Sequence, residues 1–231
     1  MALYAIGDLH LSLGTNKPMD IFGGGWVNYI EKLKKGFEII GPDDVCVLCG
    51  DTSWGMQLDE SLEDMRFIEN LPGRKIILKG NHDYWWNTAS KMKSFFNANG
   101  IKSIDILHNN CYYHNNIAIC GTRGWLTDDE FSPGQNGKIM AREAMRLEAS
   151  LKSAKKEIEK ICFFHYPPRL KSTINNDIIS IMNSYNITRC YYGHLHGDGH
   201  RNATRGLVEG IDYEMISADY INFTPQKVEH E

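Results

Sequence analysis

The stretch "LKGNHDYWW", residues 78–86, places Asn81, His82 and Asp83 directly after an apolar run and directly before an aromatic cluster. An amide, an imidazole and a carboxylate are groups that hold metal ions or move protons. In open α/β sheets, ligands bind at the carboxyl ends of the strands. The stretch therefore predicts a functional site at a strand end, and its partners are expected at the ends of other strands.

The length and composition of the chain are typical of one globular α/β domain. It has 231 residues, of which 42% are hydrophobic and 23% are charged. We therefore expect a single domain over residues 1–231. The N-terminus "MALYAIGDLH" lacks the basic start of a signal peptide, and no later apolar run has membrane-spanning length. These features predict a cytoplasmic protein with no membrane partner.

The six cysteines lie mostly inside apolar runs, which predicts buried thiols and not a disulfide framework. Cys46 and Cys49 form a Cys-x-x-Cys pair. On a strand, however, this odd separation points the two side chains to opposite faces, and no second pair completes a zinc site. We therefore interpret the cysteines as core residues.

Strand and helix signals alternate through the first half of the chain. Apolar runs at 2–7, 45–49 and 76–79 predict strands, with helical periodicity between them. The first helix is expected to bury Trp26, Ile30, Leu33, Phe37 and Ile40. Short runs joined by Asn-rich turns at 104–122 are typical of antiparallel pairing. With the helices and strands that follow, the pattern favours two β-sheets packed together with helices outside.

Each buried strand of this pattern ends in side chains that can bind a metal. They are Asp8 and His10 in "GDLH", Asp51 in "CGD", Asn81, His82 and Asp83 in "GNHD", His165 in "FFH", and His194 and His196 in "GHLH". Most of these fragments alone would be explained as a turn, a helix cap or a core histidine. Five strand ends that all supply imidazole, carboxylate or amide groups, and no thiolate, are hard to explain as turns, helix caps or core histidines. The remaining histidines, His108, His114, His200 and His230, are expected at the surface.

The order Asp-x-His, Gly-Asp, Gly-Asn-His-Asp, a lone His and Gly-His-x-His resembles the calcineurin-like metallophosphoesterase superfamily over residues 8–196. The resemblance implies an α/β fold, a four-layer α/β/β/α sandwich of two mixed sheets flanked by helices. It also implies two divalent transition-metal ions, and nitrogen and oxygen ligands suit Mn, Fe, Zn or Co without choosing among them.

Carried over by position, the family pattern gives each of the two ions its own ligands. Asp8, His10, Asp51 and His196 would surround one ion, and Asp51, Asn81, His165 and His194 the other, with Asp51 shared. The same pattern makes His82 the histidine beside the scissile phosphate and Asp83 the acid that orients it. These two residues are the expected catalytic pair.

Several aromatic and basic residues near these motifs have no role fixed by the sequence. Trp54 in "GDTSW" stands where the family often has a second acid, which puts the pocket wall in doubt but not the ligands. Tyr84, Trp85 and Trp86 could line a pocket, although core packing is the commoner role of clustered aromatics. Arg123 could bind a phosphate or pair with a surface acid, and the sequence favours neither.

The sequence therefore predicts a metal-dependent phosphohydrolase that acts on a small phosphomonoester or phosphodiester. A metal-bridging hydroxide would attack the phosphorus in line with the leaving group. The alternatives are a nuclease and a catalytically silent metal-binding scaffold. The formal net charge of −4 argues against a nucleic-acid partner, and a scaffold has no need for His82.

Overall fold

Strands and helices alternate along the chain, which a computed structural model describes over residues 1–126 and 132–228. The first part contains β1 (Leu3–Ile6), α1 (Tyr29–Phe37), β2 (Val45–Cys49), α2 (Leu62–Asn70), β3 (Arg74–Leu78), α3 (Ala89–Ala98) and β4 (Ile104–Ile106). The second part contains β5 (Tyr112–His114), β6 (Ile117–Thr122), α4 (Pro133–Ser153), β7 (Glu159–Phe164), α5 (Asn176–Ser184), β8 (Arg189–Tyr192), β9 (Gly206–Val208), β10 (Ile211–Met215) and β11 (Gln226–Lys227).

The described strands form two mixed sheets. The first has the order β11-β1-β2-β3-β4, with β1 to β4 parallel and β11 antiparallel. The second has the order β5-β6-β7-β8-β10-β9, with a parallel centre and antiparallel edge strands. The expectation for 104–122 was partly wrong, because β4 pairs in parallel with β3. Within this stretch, only β5 and β6 form an antiparallel hairpin, which turns at Asn115 with φ of 50°.

Three apolar layers hold the sheets and helices together, because side chains alternate across each strand. One layer lies between the sheets and includes Leu3, Ala5, Val47, Ile119 and Phe163. The first sheet packs its other face on α1, α2 and α3, and the second sheet packs on α4 and α5. This arrangement confirms the predicted four-layer α/β/β/α sandwich.

The cysteines follow the same alternation. Cys46 packs under the helices and Cys49 packs between the sheets, so the two thiols of the Cys-x-x-Cys pair face opposite sides, as expected. All six cysteines are free thiols, and only Cys111 is not fully buried. Burial raises the pKa of Cys120 to about 12, which keeps this thiol protonated.

The helix predictions were correct in position, and one was too long. Trp26 lies in a separate 3-10 turn before α1, and Ile40 follows the helix, yet both side chains are buried. Thr88 caps α3 by accepting a hydrogen bond from the backbone N–H of Lys91 at 3.3 Å. No helix within residues 1–126 and 132–228 is long and apolar enough to cross a membrane.

Two helical glycines provide a test of how closely α1 is packed. A Cβ at Gly36 would clash with the backbone carbonyl of Phe223, whereas a Cβ at Gly137 in α4 would meet nothing within 4 Å. Gly36→Ala is expected to lower the free energy of unfolding by about 1–3 kcal/mol, because the backbone must move. Gly137→Ala, the matched control, should raise it by about 0.5–1 kcal/mol. Urea denaturation measures both changes, and a stabilised Gly36→Ala variant would contradict the packing described.

Candidate metal centre

The loops that follow five parallel strands meet at one edge of the two sheets. Backbone hydrogen bonds join them: the N–H of Asp8 donates to the carbonyl of Gly50 at 2.9 Å, and the N–H of His10 to that of Asp51 at 2.8 Å. The second sheet joins the first where the N–H of His194 donates to both Asp8 oxygens, at 3.0 and 2.8 Å. The strand ends therefore converge, as the sequence predicts.

The first group of candidate ligands consists of Asp8, His10 and His196. The Nε2 atoms of His10 and His196 lie 3.2 Å apart, and Asp8 Oδ1 lies 3.7 Å from His196 Nε2. Asp51 Oδ2 joins this group at 3.6 Å from His10 Nε2. One carboxylate from each of two loops thus faces two imidazoles.

The second group is built around His165, whose Nε2 lies 2.6 Å from Asn81 Oδ1 and 3.2 Å from His194 Nδ1. Asn81 Oδ1 and His194 Nδ1 are 3.1 Å apart. The Nδ1 atom of His165 lies 3.1 Å from the carbonyl of Cys49, so Nδ1–H can donate there and leave the Nε2 lone pair free. Asp8, Asp51 and His165 are also close enough to share one ion, which places Asp8 near both groups.

Asp51 connects the two groups. Its Oδ1 accepts a hydrogen bond from the backbone N–H of His82 at 2.8 Å, which turns Oδ2 toward the histidines. Oδ2 then lies 3.6 Å from His10 Nε2 and 3.6 Å from His165 Nε2. This is the geometry expected of a carboxylate shared by two ions, and the two Asp/His groups are consistent with a dinuclear metal site.

The chemistry of these side chains fits divalent transition metals. Burial lowers the pKa of His10 and His165 well below the usual range and that of His194 to about 3, so these imidazoles are neutral and can donate lone pairs. Burial raises the pKa of Asp8 to about 6, a cost that a bound cation would reverse because it favours the carboxylate. The donors are nitrogen and oxygen only, which suits Mn, Fe, Zn or Co.

The backbone of the centre is unusual where the ligands are attached. Asp8, His10, Asp51 and His194 have φ of 61°, 47°, 50° and 75°, in the left-handed region that most residues avoid. Close packing accompanies this strain, because a Cβ at Gly193 would clash with Asp8 Oδ2. Strained backbone of this kind is typical of functional sites.

Asp83 occupies a different position from the one predicted. It is fully buried, and its oxygens accept hydrogen bonds from the backbone N–H groups of Gly80 and Asp51 and from Trp85 Nε1, at 2.7–3.0 Å. Thr52 donates from both its N–H and its hydroxyl. Within the described residues, no hydrogen bond joins Asp83 to the His82 ring. Asp83 therefore holds two loops together and does not orient the imidazole.

The His82 ring lies among aromatic side chains. Its centroid is 4.6 Å from that of Trp54 and 5.7 Å from that of His10, and Tyr84 Oη lies 3.5 Å from its Nδ1. Burial lowers the pKa of His82, although the charge of Asp83 opposes the effect. Trp54 also stacks on His10, with 5.0 Å between the ring centroids. It forms the part of the pocket wall at which the sequence departs from the family pattern.

Asp219 is a residue of the site that the sequence analysis missed. Its Oδ1 lies 2.8 Å from His196 Nδ1, and its Oδ2 lies 3.3 Å from His200 Nε2. A carboxylate on one ring nitrogen fixes the tautomer and directs the other nitrogen to the metal. Asp219 follows β10, a parallel strand of the second sheet, so the strand-end rule applied to this strand would have found it.

The other expectations have mixed outcomes. Trp85 is a core residue, whereas Tyr84 is 52% exposed. Arg123 pairs with an acid, but that acid is the buried Glu143 and not a surface residue. Of the histidines expected at the surface, His114 is buried, His108 and His200 are half-buried, and His230 lies outside the described residues.

Comparisons with known proteins were made for the sequence and for the fold. A comparison with curated protein sequences finds no match. Among solved structures, the phosphopantetheinyl hydrolase of Mycobacterium tuberculosis is similar, with a TM-score of 0.59, 13% identity, and coverage of 100% of this chain and 96% of that one. A protein of unknown function from Aquifex aeolicus has a TM-score of 0.52 and 17% identity, over 98% and 95% of the two chains.

At 13% and 17% sequence identity, the two solved structures show that the fold is shared. The sequence profile of the calcineurin-like phosphoesterases matches residues 1–198, which contain all seven predicted metal ligands. The chain therefore belongs to the calcineurin-like phosphoesterase family.

Proposed function

We propose that the protein hydrolyses a small phosphomonoester or phosphodiester at a dinuclear metal centre. The observation that carries the proposal is the position of Asp51 Oδ2, which lies 3.6 Å from one histidine nitrogen of each ligand group. Two divalent ions, when bound, supply Lewis acidity and lower the pKa of a nucleophilic water. The family membership supports the reaction class, and the substrate is the finer part of the proposal.

The side chains of the centre are arranged to favour an anionic substrate. Asp8 and Asp51 are the only carboxylates among the seven predicted ligands, so two divalent ions would leave a net positive charge of about two there. Asn81 contributes a neutral oxygen and leaves that charge undiminished. Phosphate esters are thereby attracted even though the chain has a net charge of −4.

His82 is proposed to donate a proton to the departing oxygen. Its backbone N–H is fixed on Asp51 at 2.8 Å, so the residue lies beside the centre, and its ring is not part of either ligand group. Trp54 packs against the ring and limits its rotation. A general acid held in this way assists leaving groups that are poor without a proton.

Metal content is the first test of the proposal. The purified protein is expected to bind about two transition-metal ions per chain and to lose hydrolysis of phosphate esters when a chelator removes them. Asp51→Asn should weaken both sites, because this carboxylate faces both groups, whereas His10→Ala should chiefly weaken one. Elemental analysis with activity assays measures this. Less than one ion bound at saturation, or activity indifferent to chelator, would contradict the dinuclear proposal.

Asp219 gives a second test, at the His196 side of the centre. Asp219→Asn is expected to lower the affinity for one of the two ions by about 10- to 100-fold, because the His196 tautomer is no longer fixed by a carboxylate. Asp198→Asn is the matched control, since the Asp198 side chain is 92% exposed and pairs with Arg201 at the surface. Metal titration of both variants measures the change. Equal affinities in the two variants would show that Asp219 does not support the metal.

The role of His82 is tested by comparing leaving groups. His82→Ala should slow hydrolysis of an alkyl phosphate by about 10²- to 10⁴-fold, because an alkoxide leaves poorly without a proton. Hydrolysis of nitrophenyl phosphate should slow much less, since nitrophenolate leaves unaided. Metal content serves as the control and should match the parent. Equal losses on both esters would instead point to charge stabilisation, and loss of metal would mean that His82 is a ligand.

A further inference from the structure

A cavity of about 370 Å³ opens where the two sheets meet. It is lined by the loop after β3, the loop after β4, the end of β6 and one residue of α4. The cavity and the metal centre share one loop, because Lys79 lines the cavity and Asn81, two residues later, is a predicted metal ligand. Arg123, also in the lining, accepts the N–H of His165 on its carbonyl oxygen at 3.2 Å. The volume is within the range of small-molecule sites.

The charged side chains that line this cavity, Lys79, Arg123 and Arg146, are all cationic. Behind them lies Glu143, a fully buried carboxylate of α4, with Arg146 Nη1 at 2.6 Å and Arg123 Nη2 at 3.3 Å from its Oε1. One carboxylate thus pairs with two of the three cations. Its other oxygen accepts from Thr122 Oγ1 at 2.6 Å, so the position of Glu143 is fixed.

Two of the three cations keep unused donors. Arg123 Nε is buried and has no hydrogen-bond partner within the described residues. Among residues 1–126 and 132–228, no carboxylate lies within ion-pair distance of the Lys79 ammonium group. A buried donor such as Arg123 Nε carries a cost unless an acceptor is bound. The cavity therefore offers donors to an anion that the protein itself does not supply.

Neighbouring groups add to the preference for an anion. Burial, followed by the charge of Arg146, lowers the pKa of His108 in the lining, so this imidazole is neutral and can donate one hydrogen bond. Thr88, the N-cap of the ten-residue α3, also lines the cavity and brings the positive end of the helix to it. Trp86 contributes an apolar face.

We infer that this cavity binds a second anionic group of the substrate, a phosphate or a carboxylate separate from the group that is hydrolysed. The inference rests on the proposed function and narrows its substrate class to small phosphate esters with two anionic ends. The scissile group would lie at the metal centre, and the second group would accept hydrogen bonds from Lys79, Arg123 and Arg146. Arginine forks match the planar or tetrahedral oxygens of such groups.

The test uses matched substrates that both release a primary alkoxide as the leaving group. The metal-loaded protein is assayed with α,ω-alkanediol bisphosphates of two to six carbons and with the corresponding alkanediol monophosphates. At the best chain length, kcat/KM is expected to favour the bisphosphate by about tenfold or more. ω-Phosphoalkanoates form a further arm, and a comparable preference for them would identify carboxylate as an accepted group.

Variants assign the preference to the cavity. Arg146→Gln should reduce the ratio of the two kcat/KM values by about tenfold, toward one, because one charged donor is lost. Arg66→Gln is the matched control, since Arg66 lies on α2 and pairs with Glu63 at the surface, and it should leave the ratio unchanged. A ratio near one in the parent protein, or a ratio that Arg146→Gln does not alter, would overturn the inference while metal-dependent hydrolysis upheld the proposed function.

A binding measurement separates the two proposals if no ester is hydrolysed. Protein stripped of metal and dialysed free of chelator is titrated with inorganic phosphate by calorimetry. Binding of one phosphate per chain that weakens about tenfold or more in Arg146→Gln, and not in Arg66→Gln, would support the anion site although the proposed function had failed. No binding, or equal binding by both variants, would overturn the inference.

Discussion

The buried carboxylate of Asp83 is the interaction on which the centre depends. It joins the loop after β2 to the loop after β3, because its donors come from Gly80 and Trp85 on one side and from Asp51 and Thr52 on the other. Hydrogen bonds to a charged group contribute about 1.5–3 kcal/mol each, and a buried carboxylate without them is costly. The relative positions of the neighbouring predicted ligands, Asn81 and Asp51, therefore follow from one residue that belongs to neither candidate ligand group.

The sequence was sufficient for the parts of the structure that repeat a simple rule. Short continuous apolar runs predicted the strands, and parallel strands bring their carboxyl ends to one edge, so Asp8, Asp51, His165 and their partners could be placed together. The parallel pairing of β4 could not be predicted in this way. A short strand takes its direction from the sheet edge that is available to it. For β4 that edge is formed by β3, which is distant in sequence from the Asn-rich turns that follow β4.

The hydrogen-bond partners of the carboxylates behind the metal ligands were the least predictable part of the site. The sequence suggested a histidine as the partner of Asp83, whereas its oxygens accept hydrogen bonds from backbone N–H groups, Thr52 and Trp85. Asp219 was not among the predicted site residues. Which partner a carboxylate chooses depends on loop geometry: Asp83 points into the protein toward backbone N–H groups, and Asp219 reaches His196 from the loop after the neighbouring strand of the same sheet. Residue type and spacing carry no information about such directions.

Net charge also proved a poor guide to local potential. The chain carries a formal charge of −4, yet three cations surround the cavity at the seam of the sheets with one carboxylate behind them. Fields inside a cleft depend on the nearest groups and on low-dielectric walls, not on the total. The same rule applies to the metal centre, where neutral imidazoles outnumber the carboxylates.

The left-handed backbone at Asp8, His10, Asp51 and His194 also limits which residues evolution or mutagenesis can place there. Asn and Gly adopt this conformation easily, while β-branched residues are strained in it. In a saturation library, Val or Thr at these four positions would therefore report backbone strain together with lost ligation. Asn at Asp8 or Asp51 retains the shape of the side chain and the backbone preference while it removes the charge. Among the replacements at these two positions, the amide is the one that separates chemistry from folding.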